Sequence, residues 1–175
     1  MTGDWCCCRL LVGGSRKESR YEVCPKDFSG LVCLVFALAL PAGAKDDKEV
    51  LIKEAREFFN RYVELGNKFD PALSELYSDS ADIQNVRYYP GGKTRTLKLT
   101  APEYKKMVAA MMPAARARND IDTFSKTTFT VLGDGVKIQS LRHSTLKNYD
   151  SWLVLLVRKE KGGMKIYQEL SQSKP

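Results

Sequence analysis

The chain has 175 residues, of which 43% are hydrophobic and 28% are charged. This length predicts one domain with an appended segment, and this apolar fraction supports an ordinary core, which excludes disordered and fibrous proteins. The formal net charge is +7. Because the basic residues are scattered beside acids and do not form one stripe, we expect a charged surface without a nucleic-acid partner.

Cysteine, histidine and glycine limit the kinds of site that the chain can form. All five cysteines precede residue 45, so the rest of the chain can hold neither a disulfide nor a cysteine metal site. The single histidine, His143, cannot form a usual zinc site alone. The paired glycines at 91–92 and 162–163 lie in predicted turns, without the following helix that a phosphate-binding loop needs. We therefore expect neither a metal nor another cofactor.

An apolar run occupies residues 31–40 and is followed by the small residues Ala42 and Ala44. The run is too short for a helix across a bilayer, which needs about 20 residues, and the pattern is typical of a signal peptide with its cleavage site. Residues 1–44 are thus predicted to be a leader, and residues 45–175 an exported domain, periplasmic or secreted, without a stable membrane span after cleavage. The alternative is a short buried helix. A start codon assigned too far upstream is a further hypothesis, because residues 1–30 are longer than a usual signal-peptide start.

Three helices are predicted from capping patterns and from the spacing of apolar residues. The first should cover residues 46–66, and a short second helix should begin at Asp70, its N-cap. A third begins with the capping pattern of Thr100 and Glu103, and Pro113 should end or kink it. The first helix carries one apolar stripe, formed by Leu51, Ala55, Phe58, Tyr62 and Leu65.

The rest of the domain predicts strands joined by short turns. Two are expected at residues 81–89 and 94–99. Because residues 152–157 are apolar without alternation, their strand should be central and covered on both faces, by the first helix and by a second subunit, which predicts a homodimer. Phe124 and Phe129 have opposite parity, which predicts a bulge. Four strands of an antiparallel meander are predicted at residues 121–132, 136–147, 151–159 and 164–172.

This order of elements resembles the nuclear transport factor 2-like cone fold, and in particular its SnoaL-like members. Three local patterns carry the resemblance: LYSDSADI at residues 76–83, TAPEY at residues 100–104 and GMKIYQ at residues 163–168. The resemblance implies an α+β domain in which a curved, antiparallel or mixed sheet of about six strands wraps around the long first helix, with three helices in all. It also implies a pocket at one end, which in the family holds steroids, polyketides or other small hydrophobic molecules.

The polar residues of the inner sheet face should line the mouth of such a pocket, together with Tyr62 from the first helix and Trp152 as an apolar wall. Gln168, for example, has the same strand parity as Ile166. Arg87 and Arg142 should both point into the pocket, and two arginines there favour a carboxylate or a phosphate on the ligand. In the alternative interpretation both arginines reach solvent or pair with acids such as Glu169. The predicted ligand-binding residues are Tyr62, Asn85, Arg87, Arg142, Trp152 and Gln168.

The resemblance gives less support to catalysis. The ketosteroid isomerase-like members of the family place a general-base aspartate on the first strand, where this chain has Asn85, and a neutral amide cannot accept the proton. Gln168 replaces the histidine that is frequent on the last strand. No catalytic residue is therefore predicted, and binding of a small, anionic or hydrophobic molecule is favoured. A SnoaL-like isomerase, dehydratase or cyclase and a dimeric envelope assembly module remain alternatives. His143 should face outward, as an interface or surface residue.

Overall fold

The computed structural model of this protein describes residues 43–174. The apolar run of the predicted signal peptide and the hypothesis about the start codon fall on residues outside this range, which includes only the last two residues of the predicted leader. Among the helices of the described part, none combines the length and the apolar character that a membrane crossing requires.

The described residues contain three helices of more than one turn: α1 (Gly43–Asn67), a 3₁₀ helix (Pro71–Leu76) and α2 (Ala101–Ala117). Asp70 caps the 3₁₀ helix, because its carboxylate accepts a hydrogen bond from the backbone N–H of Ala72 at 2.9 Å. The capping box of Thr100 and Glu103 starts α2 as predicted.

The predicted start of the first helix is wrong. Helix α1 begins at Gly43, so the capping pattern at Asp46 does not mark its start. Pro113 does not end α2, which continues to Ala117. A proline inside a helix removes one backbone hydrogen bond and crowds the carbonyl four residues earlier, so the predicted kink at Pro113 stays a prediction.

Six strands form one mixed sheet in the order β2-β1-β6-β5-β4-β3. Strands β1 and β6 pair in parallel, and all other neighbours pair antiparallel. The predicted α+β architecture, with three helices and six strands, is confirmed. The strands are β1 (Tyr77–Tyr88), β2 (Thr94–Thr100), β3 (Asp122–Leu132), β4 (Gly135–Ser144), β5 (Tyr149–Glu160) and β6 (Gly163–Ser173).

The core lies between α1 and the inner face of this sheet. Phe58 and Phe59 of α1 are buried against Ile138, Leu155 and Val157 of the central strands. Each such side chain contributes about 1.5–3 kcal/mol through the removal of its apolar surface from water. The stripe predicted for the first helix is therefore the side of α1 that holds the helix to the sheet.

The predicted bulge in β3 is confirmed. The pairing of β3 with β4 shifts register between Ser125 and Thr128. As a result Phe124 and Phe129 both face inward, and their rings lie 5.5 Å and 6.3 Å from the ring of Phe59. The extra residue lets two side chains of opposite parity reach the same core.

A second bulge, in β6, overturns the predicted orientation of Gln168. Val157 of β5 pairs with Ile166, but the adjacent Leu156 pairs with Gln168, so Tyr167 is the extra residue. Beyond it the parity is reversed, because a bulge exchanges the two faces of a strand. Gln168 therefore faces outward, and the buried residue at this point of β6 is Glu169.

The structure also overturns the predicted position of Trp152 in the pocket. Strand β5 alternates, with Leu153 and Leu155 buried and Trp152 39% exposed on the opposite face. Trp152 therefore does not form a wall of the cone interior. Among residues 43–174 no helix covers this outer face, since α1 packs on the inner side.

Candidate functional site

A cavity of about 340 Å³ lies between the two α-helices and strands β3 and β4. Its volume is at the lower end of the range for small-molecule sites, which is roughly 300–1,000 Å³. One wall is apolar and the other is polar, so the cavity matches a ligand of mixed character. The apolar wall includes Phe69, Leu73, Met107, Val108, Met111 and Met112, and the polar wall includes Asp122, Arg142, Ser144, Tyr149 and Ser173.

Arg142 reaches the polar wall because it continues the inward row of β4. In that strand Val136, Ile138 and Ser140 are buried, and Arg142 follows Ser140 at the same parity. A long guanidinium side chain at the end of a buried row can keep its stem in the core and place its charge at the rim. Its side chain is only 22% exposed.

Three contacts hold the Arg142 guanidinium. Nη2 donates a hydrogen bond to the backbone carbonyl of Gln172 at 2.9 Å, and Nε donates to Oγ of Ser151 at 3.3 Å. Nη1 lies 3.8 Å from Oδ2 of Asp122. Burial works against the charge of Arg142, but the negative charge of Asp122 and the other neighbours outweigh it and raise the pKa of Arg142. Burial also raises the pKa of Asp122, although Arg142 acts in the opposite direction.

A buried carboxylate lies beside the cavity. Glu169 is 4% exposed, and its Oε2 accepts a hydrogen bond from the hydroxyl of Tyr77. The hydroxyl of Tyr104 lies 3.5 Å from the same oxygen and 3.4 Å from the hydroxyl of Tyr77. We call Glu169, Tyr77 and Tyr104 the Tyr–Glu cluster. Its members come from β6, β1 and α2, and Tyr104 also lines the cavity.

The environment of the cluster disfavours charge. Burial raises the pKa of Glu169, while hydrogen bonds from Tyr77 and Ser171 oppose the shift. Burial raises the pKa of Tyr62, and it raises the pKa values of Tyr77 and Tyr104 well above the ordinary value. The negative charge of Glu169 is the second cause for all three tyrosines. The three hydroxyls therefore stay protonated at neutral pH and act as hydrogen-bond donors.

The six residues predicted to bind a ligand lie in three different places. Tyr62 and Arg142 line the cavity. Asn85 and Arg87 face the same side of the sheet but lie outside the lining, and the Asn85 amide is bonded to Ser171 at 3.0 Å and Ser173 at 2.7 Å. Trp152 and Gln168 lie on the outer face.

The Tyr–Glu cluster was not predicted as a unit from the sequence. Strand alternation assigned the inward position of β6 to Gln168, because no glycine or proline marks the bulge at Tyr167. Tyr104 was considered as part of the TAPEY pattern at residues 100–104. The one available signal was the acid itself: Glu169 is the one acidic residue of β6.

His143 faces away from this cavity, on the outer side of β4, as its parity predicted. Its Nδ1 lies 2.8 Å from Oδ1 of Asp150 on the neighbouring strand. Within residues 43–174 no group of three or more histidine, cysteine or acidic side chains is placed to hold a metal ion.

Solved structures with the same arrangement include a nuclear transport factor 2-like protein with a cystatin-like fold from Novosphingobium aromaticivorans. It is 19% identical to this chain, with a TM-score of 0.54, and the match covers 74% of this chain and 86% of the other. This chain has the nuclear transport factor 2-like fold. A nuclear transport factor 2-like protein of unknown function from Pseudomonas putida matches with 13% identity and a TM-score of 0.56, over 71% of this chain and 87% of its own.

A candidate scytalone dehydratase from Novosphingobium aromaticivorans is 15% identical, with a TM-score of 0.50, over 73% of this chain and 86% of its own. The structural similarity to these proteins establishes the nuclear transport factor 2-like fold. At such low sequence identity it establishes no activity, because one fold hosts many functions. No protein-family model matches the sequence, and no curated protein matches it.

Proposed function

We propose that the domain binds a small amphipathic molecule in its cavity, with an apolar skeleton against α2 and an anionic group at Arg142. The observation that carries the proposal is the position of Arg142, a partly buried guanidinium on the polar wall of a cavity whose opposite wall is apolar. A site of a few convergent polar groups in an apolar pocket is the usual form of a small-molecule site.

The contacts of Arg142 leave room for a ligand. Two of its nitrogens donate to Gln172 and Ser151, which fixes the plane of the guanidinium. The third, Nη1, is 3.8 Å from Asp122, which is beyond hydrogen-bond distance. A carboxylate or phosphate oxygen can therefore bond Nη1 without breaking an existing hydrogen bond. The pKa of Asp122 is raised, so protonation of this acid would reduce its repulsion of an anion.

Binding of two aromatic probes of matched size tests the proposal. 2-Naphthoic acid has the required anion and bicyclic skeleton, and 2-naphthamide has the same shape without the charge. Isothermal titration calorimetry at neutral pH should give an affinity for the acid about tenfold or more above that for the amide, which corresponds to about 1.4 kcal/mol. Equal affinities, or no binding of the acid at millimolar concentration, would contradict the proposal.

We also propose that two copies of the domain pair through the outer sheet face. Trp152 and Leu170 are each 39% exposed there, and Tyr88 is 41% exposed. Strand pairing places Val154 directly beside Leu170, so the apolar surface is continuous across β5 and β6. Its centre carries no charge, and an uncharged apolar patch is complementary to a copy of itself in a two-fold dimer.

Catalysis is the second candidate function, and the Tyr–Glu cluster is the observation that favours it. A buried carboxyl group with a raised pKa is suited to proton transfer. The activity to look for is an isomerase, dehydratase or cyclase reaction, and one structural neighbour is named as a candidate dehydratase. Deuterium exchange into 2-tetralone, followed by nuclear magnetic resonance, tests it. No acceleration over buffer, or an equal rate with Glu169→Gln, would count against catalysis by this group.

The remaining alternative, an envelope assembly module, predicts a filled cone and an exposed apolar patch. The cavity of the described domain opposes this alternative, and the apolar patch on the outer sheet face supports it. For localisation we propose export to the periplasm or the medium. Expression of the full chain in a bacterial host, followed by fractionation and N-terminal sequencing, tests this. A product that begins at Lys45 in the periplasm or medium supports export, and an unprocessed cytoplasmic product contradicts it.

A further inference from the structure

We propose that the hydroxyl oxygen of Tyr104, held by Glu169, accepts a hydrogen bond from a hydroxyl group of the ligand. This inference rests on the proposed function and specifies the ligand further. The molecule would carry two polar groups on an apolar skeleton: an anion for Arg142 and a neutral hydroxyl donor for Tyr104. The chemical class is therefore a hydroxylated aromatic or alicyclic acid.

The direction of the hydrogen bonds in the Tyr–Glu cluster follows from its protons. Above its folded-state pKa, which burial raises, Glu169 is ionised and only accepts hydrogen bonds, and each tyrosine has a single proton to donate. Tyr77 is in direct contact with Oε2 of Glu169 and gives its proton to that oxygen. The Tyr77 oxygen is then available only as an acceptor.

Tyr104 has two acceptors within reach, and both belong to the cluster. Its hydroxyl lies 3.5 Å from Oε2 of Glu169 and 3.4 Å from the Tyr77 oxygen. Whichever of these it bonds, its proton points into the cluster. The lone pairs of the Tyr104 oxygen that remain are then the part of this group offered to the cavity, which Tyr104 lines.

The surroundings keep this polarity in place. Tyr104 is held between the tilted ring of Tyr77, with ring centroids 4.8 Å apart, and the apolar residues of α2. The raised pKa values of Tyr77 and Tyr104 keep both protons on the hydroxyls. A ligand that brings only an acceptor, such as an ether oxygen, would face the lone pairs of Tyr104 and lose the hydrogen bond that it made in water.

The test compares three 2-naphthoic acids that differ at position 6: hydroxy, methyl and methoxy. The methyl group matches the hydroxyl in size, and the methoxy group accepts a hydrogen bond but cannot donate one. We expect the hydroxy acid to bind the wild-type protein about 2- to 10-fold more tightly than the methyl acid, which is the effect of one neutral hydrogen bond. The methoxy acid should bind more weakly than the hydroxy acid by at least the same factor.

The Tyr104→Phe variant should reduce the ratio of hydroxy to methyl affinity to about one. Tyr167→Phe is the matched control, because Tyr167 lies in β6 outside the cavity lining, and it should keep the wild-type ratio. If Tyr104→Phe does not fold, the affinities of the wild-type protein for the three acids still test the inference. Two results would overturn the inference and leave the proposed function intact. One is equal affinity for the hydroxy and methyl acids, and the other is a higher affinity for the methoxy acid than for the hydroxy acid. No binding of any of the three acids overturns both.

Discussion

The hydroxyl of Tyr77, the first residue of β1, donates a hydrogen bond to the buried carboxylate of Glu169 on β6, 92 residues later in the chain. The bond joins two strands that pair in parallel, and it lies where the bulge of β6 turns the acid inward. Burial of a carboxylate is unfavourable unless hydrogen bonds replace its water. Tyr77 supplies the first of these bonds, and Tyr104 is the member of the cluster that lines the cavity.

Removal of the Tyr77 hydroxyl should destabilise the domain. The Tyr77→Phe substitution keeps the ring and deprives a buried acceptor of its donor, so we expect a loss of about 1–3 kcal/mol in the free energy of unfolding. Urea denaturation followed by circular dichroism measures it. Tyr167→Phe, a half-buried tyrosine of β6 outside the cluster, should change the free energy by less than about 0.5 kcal/mol. Equal effects of the two substitutions would contradict the role given to Tyr77.

The stability of the domain should depend on pH through Glu169. Because burial raises the folded-state pKa of this acid above its ordinary value of 4.5, the folded state holds the proton more tightly than the unfolded state. The free energy of unfolding should therefore fall as pH rises above about 4.5, until the folded-state pKa is passed. Glu169→Gln has no proton to lose and should lack this contribution.

The measurement is the difference in free energy of unfolding between wild type and Glu169→Gln, at pH values from 4 to 8. Other acids titrate in both proteins and cancel in the difference. As pH rises, the free energy of unfolding of wild type should fall relative to that of Glu169→Gln. A change in favour of wild type over the same range would show that the folded-state pKa of Glu169 is lowered, contrary to the effect of burial.

Loss of the Arg142 guanidinium should weaken the binding of an anionic probe. A hydrogen bond to a charged group contributes about 1.5–3 kcal/mol, so Arg142→Gln should reduce the affinity for 2-naphthoic acid by roughly 10- to 150-fold. Arg158→Gln serves as the control, because Arg158 lies on β5 outside the cavity lining, beside Glu160. Calorimetry that gives the same loss for both variants would indicate a general charge effect instead of a site at Arg142.

Leu170→Glu should convert the proposed dimer into a monomer. The substitution places a carboxylate at the uncharged centre of the outer face, and burial of an unpaired charge in an interface costs several kcal/mol. Sedimentation velocity at micromolar concentration measures the outcome. Val50→Glu is the control, since Val50 is 52% exposed on α1, which packs on the inner side of the sheet. A wild-type protein that sediments as a monomer at this concentration would refute the dimer itself.

Local patterns in the sequence predicted the elements, and the resemblance to the nuclear transport factor 2-like fold predicted their arrangement. The apolar stripe of α1, the cap at Asp70 and the capping box at Thr100 depend on residues a few positions apart, and the structure contains all three. The bulge in β3 was also predictable, because Phe124 and Phe129 are two core residues of opposite parity. The same reasoning placed Arg142 on the inner face of β4, where it lines the cavity.

The sequence by itself thus determined the order of elements, the buried side of each helix and the face of most strand residues, because these follow from short-range periodicity and capping. Only the tertiary structure decided that Glu169, and not Gln168, faces inward. The bulge at Tyr167 results from the simultaneous pairing of β6 with β1 and β5, and no local pattern in β6 marks it. A buried acid is tolerated there because hydroxyls from a distant strand and a distant helix converge on it, and that convergence exists only in the folded chain.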